Sequence, residues 1–272
     1  MVNGYTASSL KEALTILAET NPVPYAGGTD LMLENRPGVK YLFLKKIPEL
    51  RSITADERYI RIGAAVTFTE ALASPLVPPL MKEAVSHIAA PAIRNAGTFG
   101  GNIGNGSDKA DTVVVEFAAD AKARIVSKEK ERIADIDKVF LSRKHLGLSD
   151  GELIAEILLP RKGLERYAYT KVGGRQSQAV SFVSFAGVFG LENGRITNAA
   201  AAFGAAGDAV QRYRDIEKSL IGKTPDEAKK VKADYLRAYE ERILVNQSRV
   251  GPEYQRIVCL NLLNDFLSRF GV

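Results

Sequence analysis

One stretch, Gly97 to Thr112, limits what this chain can fold into more than any other. It reads GTFGGNIGNGSDKADT, with five glycines and almost no apolar side chain after Ile103. Glycine admits φ > 0 and lets a ligand approach the peptide groups with no Cβ in the way, as a run of N–H groups needs in order to wrap a phosphate. Thr98, Asn102, Asn105 and Ser107 add neutral polar groups. The following DTVVVEFAADA predicts a helix capped by Asp108 or Asp111, whose first N–H groups and partial positive charge would face an anion. A long surface loop has the same composition, so both readings stand at this point.

Two better-known glycine motifs are absent. The glycines at 97, 100, 101, 104 and 106 do not form G-x-G-x-x-G, and the preceding HIAAPAIRNA reads as helix and turn rather than strand. Gly222-Lys223-Thr224 has the tail of a P-loop, but Glu217 stands where that motif requires its first glycine.

A second cradle lies upstream. A short strand, Val23 to Ala26, runs into Gly27-Gly28-Thr29-Asp30 and a helix start at Leu31-Met32-Leu33, with Thr29 or Asp30 as cap. Before it, Ser9 and Glu12 form a capping box for an amphipathic helix over ~9 to 19. Tyr41 to Leu44 reads as a buried strand, and Ser52 to Thr54 with Tyr59 to Ile62 as a hairpin. Thr67 and Glu70 cap a helix from Phe68 to Ala73, and another runs within Leu76 to Ile88. Strands follow at Ala123 to Val126 and Leu153 to Leu159, with a domain boundary near Pro160 to Leu164. The rest reads as a small antiparallel sheet (Tyr167 to Val172, Ala179 to Leu191, a turn at Asn193-Gly194, Ile196 to Phe203) and two long helices, Pro225 to Ile243 and Pro252 to Phe270. Strands followed by helices predict an α+β class. Lys171, Arg175 and Gln178 are read as following the first strand of that sheet, on a solvated edge unless a ligand lies near.

The length of 272 residues suggests two domains. The net charge of +5 comes from interleaved charges rather than a basic stripe, which disfavours nucleic-acid binding. MVNGYTASSL lacks the features of a signal peptide, and no apolar run reaches the ~20 residues of a membrane span, so a cytoplasmic location is expected. The single cysteine, Cys259, and the two histidines, His87 and His145, offer no disulfide framework, zinc or iron–sulfur ligand set, or nucleophile–base pair. We therefore assign no catalytic and no metal-binding residue to the chain and expect any chemistry to belong to a bound cofactor.

AGGTDL (Ala26 to Leu31) and TFGGNIGNGSDKAD (Thr98 to Asp111) together resemble the paired flavin-binding motifs of the FAD subunit of molybdenum hydroxylases, the xanthine dehydrogenase family. The resemblance extends over the whole chain, through YAYTKVGGRQSQAV to RVGPEYQRIVCLNLLNDFL. It implies a vanillyl-alcohol-oxidase (PCMH)-type FAD-binding domain over 1–162, with subdomains near 1–52 and 53–162, and a C-terminal α+β domain over 163–272. It implies that Tyr25, Ala26, Gly27, Gly28, Thr29, Asp30 and Leu31 line the pyrophosphate of FAD. Thr98, Gly101, Asn102, Gly104, Asn105 and Asp111 would wrap the diphosphate, ribityl and adenosine side. Ile88, Ala89, Ile93, Leu153 and Ile154 would supply apolar walls, and Lys171 would reach the flavin ring. The chain departs from the family where Ser107-Asp108 replaces a common Ser-Pro and where Gln178 replaces a common acidic residue, which leaves Arg175 and Gln178 without an assigned role.

The function implied is electron transfer. An iron–sulfur subunit would feed this FAD subunit, a molybdenum-cofactor subunit would oxidise the organic substrate, and NAD or another acceptor would take the electrons. The alternative is a self-contained FAD-dependent oxidase of the same fold.

Overall fold

The computed structural model describes residues 3–34, 36–246 and 250–272. Its contacts divide the chain into two compact units, each assembled from separate stretches of sequence. The first comprises Met1–Val77, Ile88–Ser107 and Asp120–Arg161, and the second Pro78–His87, Asp108–Ala119 and Lys162–Val272.

In the first unit, a three-stranded parallel sheet has Lys40–Phe43 in the middle, flanked by Asn3–Thr6 and Val23–Tyr25. The helix Leu10–Thr20 buries Ala13, Leu14 and Leu17; the Ser9 hydroxyl caps it, and it ends at Asn21, which turns left-handed at φ 41°. A five-stranded antiparallel sheet runs in the order Ile53–Ala55, Tyr59–Gly63, Leu153–Pro160, Lys122–Val126, Glu131–Asp135. Leu153–Pro160 is central and buried at every position but Glu156 and Pro160, so it does not alternate as its sequence suggests; Glu156 is the one charged residue in it, and pairs with Arg124 and Arg61 on the neighbouring strands. Ala7, Leu42, Ile47, Leu50 and Ala155 belong to the core beneath these elements.

The second unit is built on a four-stranded antiparallel sheet, Tyr167–Gly173, Ser181–Glu192, Arg195–Gly204 and Gln211–Arg212. Asn193 and Gly194 both take positive φ, as a tight hairpin requires. Because side chains alternate along a strand, Phe185, Gly187 and Phe189 face one way, against Phe266 of the helix Pro252–Arg269. Ser184 and its partner Gly204 face the other way, toward Val114 of the helix Asp111–Ala118, every residue of which is buried. The helix Pro225–Arg242 completes this core through Ala228, Tyr235 and Tyr239.

Several local expectations need correction. The glycine run is not a loop: Phe99–Gly104 is helical, with Thr98 as N-cap. Neither Asp108 nor Asp111 caps the next helix, whose N-cap is Ala110 without a side-chain bond; Asp111 is its first residue and points elsewhere. The helix expected after Gly28 is a single 3-10 turn, Leu31–Glu34. Lys171 lies within the strand Tyr167–Gly173 rather than after it, on a side chain only 7% exposed, so it is not on a solvated edge.

Candidate functional site

The loop Gly27-Gly28-Thr29 leaves the strand Val23–Tyr25 over an aromatic pedestal. The Tyr25 ring makes edge contacts with Tyr41 and Phe43, at centroid distances of 5.7 and 5.1 Å. Gly28, at φ +67°, lies directly against Tyr25, where a Cβ would come within 2.1 Å of the phenol oxygen. The N–H groups of Gly27, Gly28 and Thr29 meet no acceptor among the described residues, although all three are half-buried. Half-buried donors without acceptors are costly unless water or a ligand satisfies them.

The helix Phe99–Gly104 behaves differently. Its first N–H groups are already taken: Phe99 donates to Val66 O, Gly100 to Ala64 O, Gly101 to Thr98 Oγ1 and Asn102 to Thr98 O. Free donors for an anion therefore belong to the first loop, while the second presents bare Cα surface. A Cβ on Gly104 would meet nothing within 4 Å.

Between these segments lies a cleft of about 440 Å³ within the first unit, a size that suits a small-molecule or cofactor site. Ala26, Gly27, Gly28, Thr29, Asp30 and Leu31 line one side, and Thr98, Gly101, Asn102, Gly104 and Asn105 another. Leu153 and Ile154 stand in its apolar wall, joined by Phe68, Leu146 and Leu148, which the sequence reading did not place there. Asn105 donates to the Asp30 carboxylate and so ties the two glycine segments together.

The cleft also has charges that sequence alone did not single out. Lys144 Nζ donates to Asn105 Oδ1 at 3.0 Å and to Glu34 Oε1 at 3.3 Å, and Glu34 also pairs with Arg36. The hydrogen bond from Lys144 holds the Glu34 carboxyl below its ordinary range. Glu152 is gripped by Arg132 through Nε at 3.0 Å and Nη2 at 2.8 Å and accepts from Ser149 N; the Arg132 bonds chiefly bring its carboxyl down to about 2. Lys144 lies in the turn of a short hairpin, where a cation leaves no periodic trace in the sequence.

The other expected residues stand outside this lining. Ile88 and Ala89 form a turn whose carbonyls accept from Arg94 Nη1 at 2.7 and 3.0 Å, with Ala89 left-handed at φ 41°, and Ile93 is 40% exposed nearby in sequence. Asp111 and Lys171 meet in the second unit. Asp111 accepts from Lys171 Nζ at 2.6 Å, Tyr169 Oη at 3.1 Å and Ser181 Oγ at 3.0 Å, and Lys171 donates further to His87 O. Burial, and then the Asp111 charge, push the Tyr169 hydroxyl well above its ordinary range. Arg175 Nε donates to Gln178 O at 3.1 Å across a turn in which Gln178 takes φ 52°. Cys259 is buried among apolar side chains, and desolvation raises its thiol to about 12, so it packs rather than reacts. Among the described residues no group of three or more potential ligands could hold a metal ion, and no helix is long and apolar enough to cross a membrane.

Unsatisfied N–H groups on a glycine loop, open Cα surface on the other glycine segment and an apolar wall together fit a diphosphate-bearing ligand. Residues 1–162 match the family described as FAD binding domain in molybdopterin dehydrogenase, and residues 167–270 the CO dehydrogenase flavoprotein C-terminal domain. The putative xanthine dehydrogenase FAD-binding subunit XdhB of Escherichia coli (strain K12) is 30% identical over 227 residues, covering 79% of this chain and 77% of that protein. The nicotinate dehydrogenase FAD-subunit of Eubacterium barkeri is 28% identical over 234 residues, 80% of this chain and 79% of its own. Among solved structures, reconstituted CO dehydrogenase from Oligotropha carboxidovorans superposes with a TM-score of 0.89 at 22% identity, covering 97% of this chain and 96% of that one.

Proposed function

We infer the role of this chain from one premise: it belongs to the FAD-binding medium subunits of the molybdenum hydroxylase family, the xanthine and CO dehydrogenase-like oxidoreductases. It has the PCMH-type FAD-binding fold followed by the CO dehydrogenase flavoprotein C-terminal domain, and its cofactor is FAD. We propose that 1–162, with subdomains near 1–52 and 53–162, is the FAD-binding domain and 163–272 the C-terminal domain.

The observation that carries the site is the set of unbonded N–H groups at Gly27, Gly28 and Thr29 in a cleft that Gly104, open at its Cα, also lines. In this reading that loop, with Ala26, Asp30 and Leu31, holds the diphosphate. Thr98, Gly101, Asn102 and Asn105 line the opposite side, Leu153 and Ile154 exclude water, and Tyr25 supports Gly28 from below. Ile88, Ala89, Ile93, Asp111 and Lys171 are assigned to the same cofactor on resemblance alone. When bound, FAD supplies electron-transfer chemistry that no side chain here offers.

Electrons then arrive from iron–sulfur clusters of a partner subunit, and NAD or another acceptor takes them; a molybdenum-cofactor subunit oxidises the organic substrate, all in the cytoplasm. A lone Cys259 cannot hold such a cluster. The test is a single-turnover assay of the isolated, FAD-loaded chain under anaerobic conditions with a panel of heterocycles and aldehydes. No bleaching is expected until the partner subunits are added. Direct bleaching by any of these substrates, without partners, would replace the subunit reading with that of a self-contained oxidase.

A further inference from the structure

Lys144 reaches the cleft in an unusual way. The strands Phe140–Ser142 and His145–Leu146 form a tight hairpin in which Ser142 faces His145, so Arg143 and Lys144 make the turn. Lys144 takes φ 58°, a left-handed conformation that costs a lysine free energy and persists only where the surroundings impose it. Those surroundings are visible. Lys144 N donates to Gly106 O at 2.7 Å, and Gly106 takes φ +63°, where a side chain is strained, with the Lys144 backbone only 3.0 Å from where a Cβ would be. The hairpin is thus fastened just past the end of the helix Phe99–Gly104 by a residue whose conformation favours glycine, and the fastening delivers one ammonium group to the cleft.

We propose that Lys144 is a cofactor-binding residue of this cleft, exchanging its contacts with Glu34 and Asn105 for the diphosphate of FAD. The inference rests on the reading of the cleft as the FAD site. The Lys144 side chain is 55% exposed, and the 3.3 Å pair with Glu34 is a long, solvent-screened one that contributes little, so giving it up is easy. A diphosphate carries more charge than one carboxylate and offers charge-assisted hydrogen bonds in its place. Asn105 keeps its donor bond to Asp30 when Lys144 leaves its carbonyl oxygen, so the exchange does not undo the tie between the two glycine segments.

Lys144→Gly separates binding from folding, because glycine removes the ammonium and at the same time relieves the left-handed strain. The cofactor-free variant should melt at or above the wild-type temperature. Its affinity for FAD and for ADP should fall about 10-fold or more at low salt, with riboflavin, which has no phosphate, unaffected. The dependence of FAD affinity on salt should also become shallower, and Lys144→Arg should restore both affinity and salt dependence. Equal FAD affinity and salt dependence in wild type and Lys144→Gly, or an equal loss for riboflavin, overturns the proposal alone. If the wild-type chain takes up neither FAD nor ADP, the reading of the cleft fails and takes the proposal with it.

Discussion

At Gly27 a Cβ would sit 2.2 Å from Ala96 O, and at Gly100 it would sit 2.5 Å from the Ala64 Cβ. Those two glycines set how closely chain segments approach, and a side chain at either should unfold the first unit. Gly104 has no such duty, since a Cβ there meets open space in the cleft. Gly104→Leu should therefore leave the cofactor-free protein at least as stable, because glycine in a helix costs roughly 0.5–1 kcal/mol relative to alanine. It should abolish FAD uptake, as read by flavin absorbance of the purified protein. Glu116 is the opposite case, a fully buried carboxyl whose oxygens find no hydrogen-bond partner of good geometry among the described residues. Burial raises it to about 8 from an ordinary 4.5, against the opposing effect of the neighbouring Thr112. The folded state then holds a proton that the unfolded chain releases near 4.5, so stability falls as pH rises from there to about 8 and levels off above. Melting temperature followed over that window should drop in wild type and stay flatter in Glu116→Leu, which should be the more stable protein at pH 8.

At the scale of elements, the helix Asp111–Ala118 is held at both ends by buried charges. Lys171, Tyr169 and Ser181 converge on Asp111, and Arg212, itself paired with Glu217, donates to Phe117 O at the far end. Losing an ordinary cap costs about 0.5–2 kcal/mol. Removing one partner of a buried ion pair costs about 3–5 kcal/mol. Asp111→Asn should therefore destabilise the cofactor-free protein by the larger amount in denaturant titration, and pairing it with Lys171→Met should recover much of the loss. A loss no larger than a cap would show the pair to be energetically idle. The same elements show what was legible in advance. Helices with a polar cap and an apolar stripe, such as Leu10–Thr20 and Phe68–Ala73, and the Asn193-Gly194 hairpin announce themselves locally. Phe99–Gly104 does not, because glycine opposes helix, and bonds to Ala64 and Val66 from elsewhere in the chain add to the local Thr98 cap in holding it. The glycine motifs of the cleft were readable, whereas its Phe68, Leu146, Leu148 and Lys144 depend on long-range packing that no spacing encodes.

For the whole molecule, the division in sequence and the division in space differ. The two family matches meet between residues 162 and 167, yet the second compact unit also takes in Pro78–His87 and Asp108–Ala119. A fragment of 163–272 would lack the helix that covers Ser184 and Gly204. It should show no cooperative thermal transition, and a sharp two-state melt of that fragment would contradict the packing described. The discontinuity also has a consequence for synthesis on the ribosome. The wholly buried helix Asp111–Ala118 is made before the strands Ser181–Glu192 and Arg195–Gly204 that will cover it, with all of Asp120–Arg161 translated in between. At roughly 5–20 residues per second, that helix waits for seconds with its apolar surface and Glu116 uncovered. During synthesis, then, the one earlier-made element of the second unit that can shield this helix is Pro79–Ser86, and the helix's sheet-facing side stays open to water until the hairpin arrives.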